Sequence, residues 1–192
     1  LKKICPTLDS IDIGGGFPVA YNDSVTPIDE FCRPIRAALA KLPPHVRVIA
    51  EPGRLIAAPA AIAVSSVMGK AKRDGRWWYY LDDGLYGSYS GQMFDHAKYP
   101  VSVLREGGEL HESVLSGPTC DSIDVIDECI MLPELEMGDL VVGRMMGAYT
   151  WASATDFNFF KRAKVVVMNE TADARRVVRL QRKAAGGRGR AA

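Results

Sequence analysis

The stretch Ile11-Asp12-Ile13-Gly14-Gly15-Gly16-Phe17 runs from an apolar-patterned segment straight into three consecutive glycines. A strand that ends this way leaves backbone N–H groups open, because no Cβ blocks a ligand and any φ is allowed. That is the chemistry of an anion cradle, usually for phosphate. The same triplet also serves as a plain tight turn. A second loop, Glu51-Pro52-Gly53-Arg54, follows another strand-like run, Val46-Arg47-Val48-Ile49-Ala50. An arginine beside a glycine suits bidentate phosphate contact. A glutamate at the end of a buried strand needs a cationic partner. At i,i+3 spacing, Glu51 and Arg54 are also compatible with a surface ion pair.

Between the two loops, Thr26-Pro27 reads as an N-cap followed by proline at the first helical position. Ile28, Phe31, Ile35, Leu39 and Leu42 then recur at helical spacing. Pro34 implies a late start or a kink, and Pro43-Pro44 ends the helix. Val46–Ala50 has the apolar, β-branched character of a buried parallel strand. Both glycine loops then sit at the carboxyl ends of parallel strands joined by a right-handed crossover. Barrel and doubly wound α/β folds place their sites there.

Beyond about Pro59 the pattern changes. The segments 61–68, 77–81, 101–104, 139–142 and 164–168 look like strands separated by glycine, proline and charge clusters. They predict an antiparallel β domain. A complete parallel barrel takes eight strand–helix units and ~250 residues, and only about two such units are visible. The expected organisation is an incomplete α/β part over 1–60, a β domain over 61–174, and a basic tail over 175–192. The tail holds seven basic and no acidic residues, leaving 17 basic against 23 acidic in the rest of the chain. Its Gly186-Gly187-Arg188-Gly189-Arg190 run cannot bury a core and is expected to be disordered. No aromatic residue interleaves its charges, so nucleic-acid binding is not expected.

With 47% hydrophobic and 24% charged residues, the 192-residue chain has the composition of a globular protein. No apolar run approaches a membrane span, and no signal sequence is visible. The cysteines at 5, 32, 120 and 129 form no CxxC pair, and no His/Cys cluster has metal spacing, so no metal is expected. Unpaired cysteines without a signal sequence point to the reducing cytoplasm. The chain opens on Leu1, which predicts that it begins inside something longer or has been processed.

Three further segments complete a pattern: Asp83-Gly-Leu-Tyr-Gly-Ser88, Ser116-Gly-Pro-Thr-Cys-Asp121 and Met146-Gly-Ala-Tyr-Thr150. With the two glycine loops, and in this order, they resemble the ornithine decarboxylase family. These are fold-type III, pyridoxal-phosphate-dependent decarboxylases of basic amino acids. The resemblance covers Ile11 to about Phe160, and the Gly-Pro-Thr-Cys-Asp form favours ornithine-type enzymes over the diaminopimelate branch. It implies the C-terminal portion of a (β/α)8 barrel followed by an antiparallel β-barrel domain like that of alanine racemase.

It also implies roles. Gly14, Gly15, Gly16 and Gly53 would offer N–H groups to the cofactor phosphate, and Arg54 would add charge. Tyr149 would approach the same phosphate. Glu51 would pair with the pyridine nitrogen. Cys120 resembles the cysteine that returns a proton to carbon after decarboxylation. Asp95 and Asp121 resemble the carboxylates that receive the substrate's distal ammonium. Tyr86 and Phe157 would line the site or its dimer contact. The resemblance further implies a homodimer with shared sites. Cys120, Asp121, Asp95 and Tyr86 would reach into the partner's barrel, while Glu51, Arg54 and Tyr149 would serve their own subunit. Phe94 stands where the animal enzymes commonly have tyrosine. None of the nine lysines lies in the context of the Schiff-base lysine, which the family places well before the first glycine loop.

Three readings follow. The first is decarboxylation of L-ornithine, with L-lysine as a second substrate, to putrescine or cadaverine. The second is a regulatory homologue without chemistry, as in antizyme inhibitors. The third is a split enzyme whose other barrel half is a separate chain. Without that half, this chain alone is expected to be inactive. Taken singly, the residues have blander fates: Cys120 as a small buried hydrophobe, Trp77–Tyr80 as strand core, and Asp82-Asp83 as a turn.

Overall fold

The computed structural model describes residues 8–21 and 25–168. Its first part is a single β–α–β unit. Strand β1 (Ser10–Asp12) pairs in parallel with β2 (Arg47–Ile49), with Ile11 opposite Val48. The pairing continues into the glycine loop, where Ile13 N–H donates to Ile49 O at 3.0 Å and Glu51 N–H to Gly14 O at 2.9 Å. Both glycine loops therefore lie side by side at the carboxyl ends of their strands.

Helix α1 (Ile28–Leu39) joins the strands. Its N-cap position is Pro27, and no side chain caps it, so Thr26 does not perform the expected role. Nor does the helix start late. Pro34 lies inside it on the exposed side, where the carbonyl it cannot serve as donor faces solvent rather than a packed core. The burial expected of Val46–Ala50 is not found. Val48 and Ile49 are 41% and 40% exposed, because two strands alone leave most of a parallel pair uncovered.

After β2, the short helix α2 (Gly53–Ala57) and a 3-10 turn lead into β3 (Ala63–Arg73). Six strands follow in one sheet: β3, β4 (Arg76–Leu81), β5 (Val101–Val103), β6 (His111–Ser116), β7 (Val125–Leu132) and β8 (Leu140–Gly143). Their spatial order is β5-β8-β3-β4-β6-β7. Asp74 and Gly75, both at positive φ, form the two-residue turn between β3 and β4. A bulge at Met68 lets β3 change partner, from β8 on its first half to β4 on its second. The core is built from Tyr79, Leu81, Tyr89, Leu115, Leu135 and Val141, all fully buried.

Three expectations are corrected here. The sheet is not purely antiparallel, since β4 and β6 run parallel. The run 164–168 is not a strand: Val165, Val166 and Val167 are exposed and pair with nothing among the described residues. Conversely, β6 and β7 are strands that the apolar pattern did not mark. The basic tail at 175–192 lies outside the described residues.

Candidate active site

A cleft of about 520 Å³ opens at the two glycine loops, lined by Gly15, Gly16, Glu51, Gly53, Arg54 and Tyr149, with Tyr21 on its wall. Gly15 has no alternative, because a Cβ there would stand 2.9 Å from the Glu51 carbonyl oxygen. Gly14 and Gly16 hold φ of +72° and +79°. The N–H groups divide between two uses. Gly14 N–H donates to Asp12 Oδ1 at 2.8 Å, and Gly53 N–H to Glu51 O at 2.8 Å. Gly15 and Gly16 N–H have no protein partner among the described residues. The loop thus offers two N–H groups to a ligand rather than the four read from sequence.

Arg54 does not pair with Glu51. Its guanidinium is hydrogen-bonded to the Asp95 carboxylate and lies over the Tyr149 ring, 5.2 Å from the centroid. Close packing brings these three residues together. Asp95 ends helix α3 (Gly91–Asp95), and Gly91 has no room for a Cβ against Tyr99 and the Tyr149 carbonyl. Gly147 is equally confined by the Ala57 carbonyl, and its N–H donates to Ala58 O at 3.0 Å. Tyr149 itself sits at φ +52°. Tyr21, edge-on to Tyr99 at 5.5 Å, has its phenol pushed up, first by burial.

The remaining expected residues form a second cluster. Tyr86 O–H donates to Asp121 Oδ2 at 2.5 Å, and its ring stacks on Phe157 at 4.2 Å. The hydrogen bond to Asp121 pushes the Tyr86 phenol up to about 12 and holds the Asp121 carboxyl below its usual range. Asn158 Nδ2 donates to Cys120 Sγ at 3.6 Å. The cavity bearing Tyr86 and Phe157 shares no lining residue with the glycine-loop cleft. This corrects the grouping of Asp95 with Cys120, Asp121 and Tyr86: Asp95 stands with Arg54.

Sequence reasoning missed Asp124, which holds the second cluster in place. It is 2% exposed. Its Oδ1 accepts from Leu85 N–H at 2.8 Å, and its Oδ2 accepts from Thr119 N–H at 3.0 Å and Thr119 Oγ1 at 2.7 Å. A Cβ on Gly84 or Gly117 would collide with this carboxylate. One buried side chain therefore ties the loop carrying Tyr86 to the loop carrying Cys120 and Asp121. The available signal was an aspartate three residues after a motif and facing two glycines. Asn158 and Tyr21 carried no signal at all.

Residues 19–147 match the family model of the pyridoxal-dependent decarboxylases, in its C-terminal sheet domain. The chain is 39% identical over 164 residues to the lysine/ornithine decarboxylase of Selenomonas ruminantium, a match covering 85% of this chain and 42% of that protein. Antizyme inhibitor 2 of Xenopus laevis is 37% identical over 175 residues, 81% of this chain and 38% of that one. The crystal structure of lysine/ornithine decarboxylase complexed with putrescine from Vibrio vulnificus superposes with a TM-score of 0.83 at 62% identity, covering 88% of this chain and 46% of that one. The chain thus spans less than half the length of the relatives it matches. Its ordered motifs, its six-stranded sheet and these matches agree: the chain belongs to the pyridoxal-dependent decarboxylase family, whose C-terminal sheet domain it contains.

Proposed function

We propose that this chain contributes two half-sites to a pyridoxal-phosphate-dependent decarboxylase of L-ornithine, and of L-lysine as a second substrate. The observation that carries the reading is the cleft in which the N–H groups of Gly15 and Gly16, without a partner among the described residues, share a wall with an arginine already oriented by a carboxylate and an aromatic ring. That donor set fits a phosphate monoester. Pyridoxal phosphate supplies an electron-withdrawing ring for the pair released when the carboxylate leaves. Glu51, exposed on the cleft wall, is the acceptor for the pyridine N–H. Asp95 holds Arg54 and presents negative charge on the cofactor's side.

Asp121 and Cys120 act from the second cluster. In a homodimer they serve the partner's cleft, with Asp121 and the partner's Asp95 flanking the substrate's distal ammonium. Cys120 delivers a proton to the carbon that lost carbon dioxide. The lysine that carries the cofactor comes from outside residues 1–192, on the same polypeptide or a separate one. Ornithine and lysine differ by one methylene, worth ~1–3 kcal/mol in a pocket.

The test is release of labelled carbon dioxide from carboxyl-labelled L-ornithine and L-lysine by the full enzyme, with and without added pyridoxal phosphate. Cofactor-dependent release is expected. Its absence, with cofactor binding intact, would favour the non-catalytic reading that the likeness to antizyme inhibitor 2 brings in.

A further inference from the structure

We propose that Asn158 is a positioning residue for Cys120, its side-chain amide holding the sulfur so that the thiol proton points at one target. The inference rests on the reading of Cys120 as the proton donor. Asn158 Nδ2 lies 3.6 Å from Cys120 Sγ, the one side-chain hydrogen bond to that thiol among the described residues. An amide N–H occupies a sulfur lone pair, so the S–H bond must point elsewhere.

The backbone here is shaped around that contact. Asn158 adopts φ 54°, ψ 20°, and Phe159 follows at φ 61°. Asparagine tolerates this left-handed region, but phenylalanine does not favour it. Phe159 is 96% exposed, so its own packing does not explain the conformation. The turn is pinned on both sides. Phe157 stacks on Tyr86, Thr155 N–H donates to Tyr86 O at 2.8 Å, and Arg162 Nε donates to Asp156 Oδ1 at 3.0 Å.

The ionisable groups around the thiol are Tyr86, Asp121 and Asp124, with Lys161 and Arg162 on the adjoining cavity. In the step itself the S–H proton moves to the carbon that lost carbon dioxide. The pair freed there forms the new C–H bond. Sulfur keeps the S–H pair as thiolate and is reprotonated from water.

Two variants of the full enzyme test this. Asn158→Gly keeps the left-handed backbone and deletes the amide. Asn158→Asp keeps the size and sets a carboxylate against the sulfur. The readouts are the pH profile of iodoacetamide alkylation at Cys120, resolved by peptide mass spectrometry, and the ratio of diamine to misprotonated products, aldehyde plus pyridoxamine phosphate. Asn158→Asp should move the alkylation midpoint to higher pH. Asn158→Gly should raise the misprotonated fraction severalfold with little change in KM. Wild-type profiles and ratios in both variants would overturn the inference. Cys120→Ala separates the two claims. Misprotonation in Cys120→Ala, with both Asn158 variants normal, would sink the positioning role alone. Normal, diamine-only turnover in Cys120→Ala would sink the reading of Cys120 itself.

Discussion

The two carboxylate oxygens of Asp83 keep different company. Oδ1 accepts from Gly84 N–H at 2.9 Å and Ser88 N–H at 2.8 Å, while Oδ2 is buried without a hydrogen-bond partner among the described residues. Desolvation dominates and pushes the carboxyl up. Because its folded pKa lies above the unfolded one, Asp83 supports the fold fully only below the unfolded value, near 4. That support is lost as pH rises through the folded value. Asp83→Asn should therefore gain stability relative to the parent as pH rises from about 4 towards neutral. Urea melts across that range would show it, and a pH-independent difference would contradict it. At the cleft, Arg54→Ala removes a charge-assisted contact worth about 1.5–3 kcal/mol. Cofactor affinity should fall about ten- to hundred-fold, read by titration with pyridoxal phosphate, with a smaller effect on the chemical step. Arg54 was legible from its glycine-flanked motif. Its pairing with Asp95, 41 residues away, was not, because sequence spacing carries no information about which carboxylate folding delivers.

Strands show where a one-dimensional pattern stops being informative. Trp77–Tyr80 could be read as strand core, and Tyr79 is fully buried in β4. In β6 a fully buried position is Ser113, and β7 carries Asp127 and Glu128 at its middle, so an apolar count passes over both strands. Residues 164–168 show the opposite failure. They have β-branched residues in quantity, yet a strand exists only where a neighbour supplies ladder bonds. The loops between elements depend on Asp124 in the same non-local way. Asp124→Ala leaves three buried or half-buried donors without their acceptor, at about 1–3 kcal/mol each when water cannot replace it. Gly117→Ala, which drives a methyl into the same carboxylate, should cost about 1–3 kcal/mol. Chemical denaturation checks both. A loss under 0.5 kcal/mol in either, the range of an ordinary surface change, would mean that the loops are held by something else.

For the whole molecule, the separation of the two clusters predicts which variants rescue each other. On the proposed roles, Glu51→Ala would disable the cofactor-side half and Asp121→Asn the other half. Mixed at equal amounts, they should regain up to roughly a quarter of parental activity, since half of randomly assorted dimers are mixed and each holds one intact site. Glu51→Ala with Asp95→Asn should regain nothing, because both changes fall on the same half. Recovery in the second mixture and not the first would reverse the assignment of Asp95. Nothing in composition or periodicity announces a dimer. The expectation comes from the family resemblance; the glycine-loop cleft and the cavity bearing Tyr86 and Phe157 share no lining residue.

Arg54 stands on α2, the link between the β–α–β unit and β3, while Asp95 and Tyr149, which grip it, come from the sheet part of the chain. A phosphate ligand seated on that arginine would act as a rivet between the two. Ligation then adds to the hold of α2 on the sheet, and saturating ligand should raise the melting temperature.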